Sequence, residues 1–147
     1  MDSTRERPLI VVGIDGSAAS EAALRWALGE AARRGADVEA ITARPREAAF
    51  AVPAGSPPLV HRHPVSDLHA LVRRAATLVP GARSATEVVL VGDPAEELTR
   101  VSRHADLLVL GSHGHGGAAG LLLGSVVGGC LRGSACPVVV IPPGAVG

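Results

Sequence analysis

Residues 107–125 read LLVLGSHGHGGAAGLLLGS, an apolar run that breaks into a glycine-rich loop and ends at Gly124-Ser125. Residues 107–110 are short, aliphatic and uninterrupted, the pattern of a strand buried on both faces of a parallel sheet. The loop that follows holds six glycines from Gly111 to Gly124, spaced as Gly111, two residues, Gly114, nine residues, then Gly124 and Ser125. So little side-chain bulk leaves backbone amides open to an anion. Gly124-Ser125 starts a further segment whose unpaired N–H groups and dipole favour phosphate. Glycines also serve turns and close packing, so the loop gains meaning only from what faces it.

The rest of the chain sets what faces it. Residues 9–14, LIVVGI, form an apolar strand that ends at Asp15-Gly16-Ser17, a turn leading into a helix N-cap. Ala18–Arg34 carries Ala22, Ala23, Trp26, Ala27 and Ala31 at helical spacing, and Gly35 ends the pattern. A strand is expected over 38–43, then a long loop over 44–64 that holds five of the eleven prolines. Next come a helix over 65–79 closed by Pro80-Gly81, a strand over 86–91, and a helix from Pro94 to about His104. A strand over 107–110, a helix over 124–133 and a strand over 137–141 complete the order.

Strands alternating with helices predict a single open five-stranded parallel sheet, strand order 3-2-1-4-5, with helices on both faces. At 147 residues the chain is expected to be one domain, residues 1–147 with a core of about 8–142. Ligands of such sheets bind beyond the carboxyl ends of the strands, where strand order reverses. Here that crevice lies between strands one and four, so Asp15 and the Gly111 loop face one another across it.

Composition narrows the function classes. The formal net charge is zero and every basic residue is arginine, so no basic field recruits nucleic acid or anionic membrane. Trp26 and Phe50 are the whole aromatic content, too little for base-stacking platforms. No apolar run approaches the length of a membrane helix, and the opening MDSTRERP has no secretory core, which together predict a cytoplasmic protein. Cys130 and Cys136 lack a CxxC spacing and are expected to be reduced structural thiols.

Without lysine there is no Walker loop, so phosphate would be held by amides and hydroxyls. Gly114-His115-Gly116 with Ala119 imitates a dinucleotide fingerprint. That mechanism wants a carboxylate about 20 residues on, yet the last acidic residue is Asp106. Asp15 can cap its own turn together with Ser17, or accept hydrogen bonds from a ribose or from metal-bound water. His61, His63 and His69 read as solvated residues rather than metal ligands, since no Cys or carboxylate set completes a coordination shell. His113 and His115, inside the loop, are expected at the surface, with proton transfer or phosphate contact as the alternative.

The chain resembles the universal stress protein superfamily from about Pro8 to Ile141. The matching pieces are VVGIDGS at 11–17, VGDPAEEL at 91–98, DLLVLGSHG at 106–114, LLLGSVV at 121–127 and CPVVVI at 136–141. Its G-x2-G-x9-G-[ST] spacing is that of the ATP-binding branch. The resemblance implies a Rossmann-like, adenine nucleotide alpha hydrolase-like fold that binds ATP together with Mg²⁺. Implied contacts are Gly13, Asp15, Gly16 and Ser17 after strand one, with Asp15 at the ribose, and Ala43 near adenine. Around the phosphates it implies Gly111, Ser112, Gly114, Gly124, Ser125, Val126 and Val127. The family often has His-Val where this chain has Thr42-Ala43. The resemblance also implies a homodimer through strand 138–141 and a stress-response regulatory role with slow or no ATP hydrolysis and no catalytic residues. The alternatives are a nucleotide-free interaction protein of the same fold and a genuine ATPase.

Overall fold

The five residues of β1 (Leu9–Gly13) are all buried, because a strand pairs with it on each side. In the computed structural model, which describes residues 7–45, 64–113 and 124–144, β1 lies parallel between β2 (Asp37–Arg44) and β4 (Leu107–Gly111). β3 (Thr86–Val91) adds to β2 and β5 (Val138–Ile141) to β4, giving the order β3-β2-β1-β4-β5. Most of the expected 44–64 loop falls outside the described residues, as do Gly114 and His115.

Strand alternation splits the core in two. Ile10, Val12, Val38, Ala40, Leu107 and Val109 face α1 (Ala18–Arg34) and α2 (Pro64–Leu78). Leu9, Val11, Ile41, Leu108 and Leu110 face α3 (Pro94–Val101) and α4 (Ser125–Gly133). With helices on both faces, the strands can be continuously apolar.

α1 begins and ends where its capping residues stand. Ser17 Oγ accepts from Ser20 N at 3.2 Å, and Gly35 at φ 67° donates its N–H to Ala31 O. The buried face of α1 is largely alanine, so its backbone approaches the sheet closely. A Cβ on Gly111 would lie 2.5 Å from the carbonyl carbon of Ala19 and 2.7 Å from Ser20 N. Only glycine fits at that crossing. α3 and α4 meet as closely, since a Cβ on Gly129 would stand 2.7 Å from Ala95 Cβ.

Several boundaries shift from expectation by a single residue, and the end of one helix shifts further. The helix expected to reach about His104 is α-helical only to Val101 and tightens into a 3₁₀ turn over Ser102–His104. Ser102 is the reason: its hydroxyl donates to Thr99 O at 2.6 Å and accepts from Ala135 N at 2.9 Å, tying the helix end to the entry of β5. β1 stops at Gly13 rather than Ile14, although Ile14 N still donates to Ile41 O at 2.8 Å. Asp106 takes a structural part not foreseen, its carboxylate accepting from Leu9 N at 2.8 Å at the opposite end of β1.

Both cysteines are free thiols. Burial pushes the Cys130 thiol above its ordinary range, with a hydrogen bond from Thr99 acting the other way. No helix among the described residues is long and apolar enough to cross a membrane.

Candidate functional site

Beyond the carboxyl ends of β1, β2 and β4, on the side covered by α3 and α4, the strands open into a cleft of about 650 Å³. That volume lies in the range of small-molecule sites. β1 contributes Gly13 and the turn at Asp15 and Ser17, β2 contributes Ile41 and Ala43, β4 ends at Gly111, and α4 presents Gly124, Ser125, Val126 and Val127. Strands far apart in sequence thus bring these residues, all of them expected except Ile41, to one place.

The turn after β1 is held by its own hydrogen bonds. Asp15 Oδ1 accepts from Ser17 N at 2.9 Å, so the carboxylate does cap the turn as the simpler reading had it. No partner is recorded for Oδ2 among the described residues, and Asp15 is exposed at the cleft. Gly16 supplies the positive φ of 85° that the turn needs and does not line the cleft. Ser17 Oγ donates to His113 O at 3.3 Å, which joins the start of α1 to the end of β4.

Ser112 also stands behind the wall. It is buried, its N–H donates to Ile141 O at 2.9 Å, and its carbonyl accepts from Gly124 N at 3.2 Å. Its hydroxyl lies 2.8 Å from His113 Nδ1. His113, expected at the surface, is half-buried on the cleft wall with its Nε2 sealed from solvent and unpartnered among the described residues. His69, read as solvated, is exposed and contacts Glu87 at 3.0 Å. Gly114 and His115 lie outside the described residues, as do His61 and His63.

At α4 the helix start is open. Gly124 is the N-cap and brings no side-chain hydrogen bond, while the first intrahelical bond runs from Gly128 N to Gly124 O at 3.0 Å. The N–H groups of Ser125, Val126 and Val127 therefore have no acceptor within the helix, and the positive end of its dipole meets the cleft. On the β2 side, Ile41 turns its carbonyl toward β1, where Ile14 N takes it. Ala43, two residues on, turns its N–H and C=O the same way, beyond the end of β1. A donor and an acceptor thus stand side by side above apolar Ile41, Leu98 and Pro45.

Sequence reasoning missed the apolar lining, chiefly Ile14, Ile41, Pro94, Leu98 and Leu110, together with Pro45 and Ser20. The aliphatic residues carry the same signal as core residues. Pro94 alone had a readable position, at the start of a helix that points back toward the strand ends.

A sequence profile of the universal stress protein family matches residues 8–142. The chain belongs to the universal stress protein family. Among curated members it is 37% identical over 142 residues to universal stress protein Rv2005c of Mycobacterium tuberculosis, covering 89% of this chain and 44% of that one. To Rv2623 of the same organism it is 34% identical over 139 residues, covering 90% and 46%. The chain thus spans about half the length of the curated relatives it matches. A solved universal stress protein in complex with cAMP superposes with TM-score 0.68 at 31% identity, covering 93% of this chain and 98% of that one. One from Archaeoglobus fulgidus in complex with dAMP gives TM-score 0.59 at 22% identity, covering 92% and 97%, a likeness of fold.

Proposed function

We propose that this universal stress protein domain binds an adenine nucleotide, ATP with Mg²⁺ in particular, and acts as a nucleotide-dependent regulatory module of the stress response. The observation that carries the reading is the start of α4, which has no side-chain cap and whose first N–H groups, without an acceptor among the described residues, open on a cleft with Asp15 at its rim. Phosphates fit against Gly124, Ser125, Val126 and Val127, and a ribose against the open Oδ2 of Asp15. The paired backbone groups of Ala43 suit a base edge that offers one acceptor and one donor, as adenine does. Its methyl group leaves room for the ring.

Mg²⁺ fits as a partner of the phosphates, with Asp15 in reach as an acceptor for its water ligands and supplying charge neutralisation. Hydrolysis is expected to be slow or absent. The chain has no lysine, and the His113 ring has Nδ1 on Ser112 and Nε2 sealed off, so it offers no ready proton carrier. We further propose that the described fold is one domain, that it resides in the cytoplasm, and that it pairs with a second copy through β5. Among the described residues no strand lies beyond that edge of VVVI.

Mass spectrometry of nucleotide released on denaturing freshly purified protein tests the ligand directly, and an adenine nucleotide at near-stoichiometric yield is expected. Nucleotide-free protein that also fails to bind added adenine nucleotides would refute the reading and favour the interaction protein. Phosphate release with excess ATP and Mg²⁺ tests the second point. The expected rate is below about one per minute, against about 10 per second for an ordinary enzyme.

A further inference from the structure

The described walls of the cleft are almost without charge. Among the described residues that line it, Asp15 carries the one formal charge, and that charge is negative. The chain over residues 107–131 has no Asp, Glu, Lys or Arg at all. His113 adds no open cationic group, with Nδ1 on Ser112 Oγ at 2.8 Å and Nε2 sealed from solvent. The hydroxyls of Ser17 and Ser20 are already engaged, donating to His113 O and Ser17 O. Among the described residues, what remains for an anion is dipolar: the first N–H groups of α4 and the exposed hydroxyl of Ser125, for which no hydrogen bond to a described residue is recorded.

A helix terminus presents the equivalent of roughly half an elementary charge. That suits a phosphate oxygen carrying about one negative charge and falls well short of a free triphosphate. The surplus would lie against Ile41, Leu98, Leu110 and Val127, which cannot screen it, and across from Asp15, which repels it.

Resting on the adenine-nucleotide reading above, we propose that the cleft sorts nucleotides by net phosphate charge. A singly charged phosphodiester enters unaided, and a di- or triphosphate enters only with a divalent cation that travels with it. Nucleotide occupancy then follows free divalent cation as well as nucleotide concentration. The sorting requires no side chain to recognise phosphate number, because the described walls offer an anion dipoles and no cation.

Calorimetric titration of the full chain with adenosine, cAMP and ATP, each in EDTA and in excess Mg²⁺, tests this. Expected are affinities for adenosine and cAMP that change less than about twofold between the two buffers, and an affinity for ATP that falls at least about tenfold in EDTA. ATP that binds equally well in EDTA overturns the charge rule and leaves the adenine site standing. If none of the three ligands binds in either buffer, the site reading fails and the rule with it. A cation placed by Ser125→Arg, at an exposed first-turn position on the cleft, is expected to recover several-fold of the ATP affinity lost in EDTA. A native-folded variant with the full EDTA loss would also overturn the rule. If the variant does not fold, the wild-type titrations decide alone.

Discussion

Replacing Gly111 by alanine and Gly29 by alanine is the same chemical change, and the structure assigns the two opposite signs. At Gly111 the new methyl would stand 2.5 Å from the carbonyl carbon and 2.7 Å from the Cβ of Ala19, and 2.7 Å from Ser20 N. Most of that obstacle is helix backbone, which no rotamer change relieves. The end of β4 and the first turn of α1 must separate, and overpacking of this kind costs about 2–3 kcal/mol. At Gly29, in the interior of α1, the nearest atoms would be Arg33 Nη1 and Val79 Cγ1, both at 3.9 Å, an ordinary contact. There alanine relieves the helix of a glycine and stabilises by about 0.5–1 kcal/mol. A chain of this length changes its melting temperature by about 3 °C per kcal/mol. Gly111→Ala is thus expected to melt about 6–9 °C lower and Gly29→Ala about 1.5–3 °C higher, by differential scanning calorimetry of nucleotide-stripped protein. A neutral Gly111→Ala, or a Gly29→Ala that melts below wild type, would refute the packing argument.

Gly124→Asp sets a carboxylate at the mouth of α4 and is expected to abolish ATP binding. Each lost charge-assisted hydrogen bond costs about 1.5–3 kcal/mol; retained affinity alongside a native circular dichroism spectrum would argue against phosphate at this position. Thiol labelling with iodoacetamide should reach the half-buried Cys136 first and Cys130 only on unfolding, since burial both hides Cys130 and raises its pKa. Equal labelling of the native protein would contradict the packing of α4. The hydrogen bond from Arg33 lowers the Glu30 carboxyl from its ordinary value, burial opposes it, and Arg34 adds to the lowering. The arginines' contribution is complete above that ordinary value and fades as pH falls through the lowered one, so Glu30→Gln should flatten the acid limb of melting temperature against pH. An unchanged limb would count against it. Light scattering at micromolar concentration should give twice the chain mass, and a monomer would remove β5 as the pairing edge.

Much of the fold was legible because its signals were local. Ser17 and Gly35 punctuate α1 at both ends, and its predicted range, 18–34, is the observed one. The continuous apolar strands announced burial on both faces, the alternation of elements announced a parallel sheet, and the expected order 3-2-1-4-5 is the observed one. The end of α3 was not legible, because Ser102 acts through Ala135, a partner 33 residues away. In the cleft, Asp15, Ser17 and the start of α4 were readable from their chemistry, whereas Leu98 and Leu110 look like any core residue until the strand ends part around them. Gly111 was readable as a required glycine. The requirement seen in the structure is the passage of α1.

Ser112 has a consequence that reaches past the cleft. Its N–H is taken by Ile141, the last residue of the edge strand, and its carbonyl by the cap of α4, while the carbonyl of the next residue receives the hydroxyl that caps α1. Two consecutive residues therefore act as a common hinge pin for the helix start that would meet phosphate, the helix that follows Asp15, and the edge strand β5. A ligand that drew the start of α4 inward would pull on the far end of β5 through two hydrogen bonds. The sheet's outer margin is thus wired to the cleft, and amide exchange at Ser112 and Gly124, the donors of those two bonds, is where filling it should be felt first.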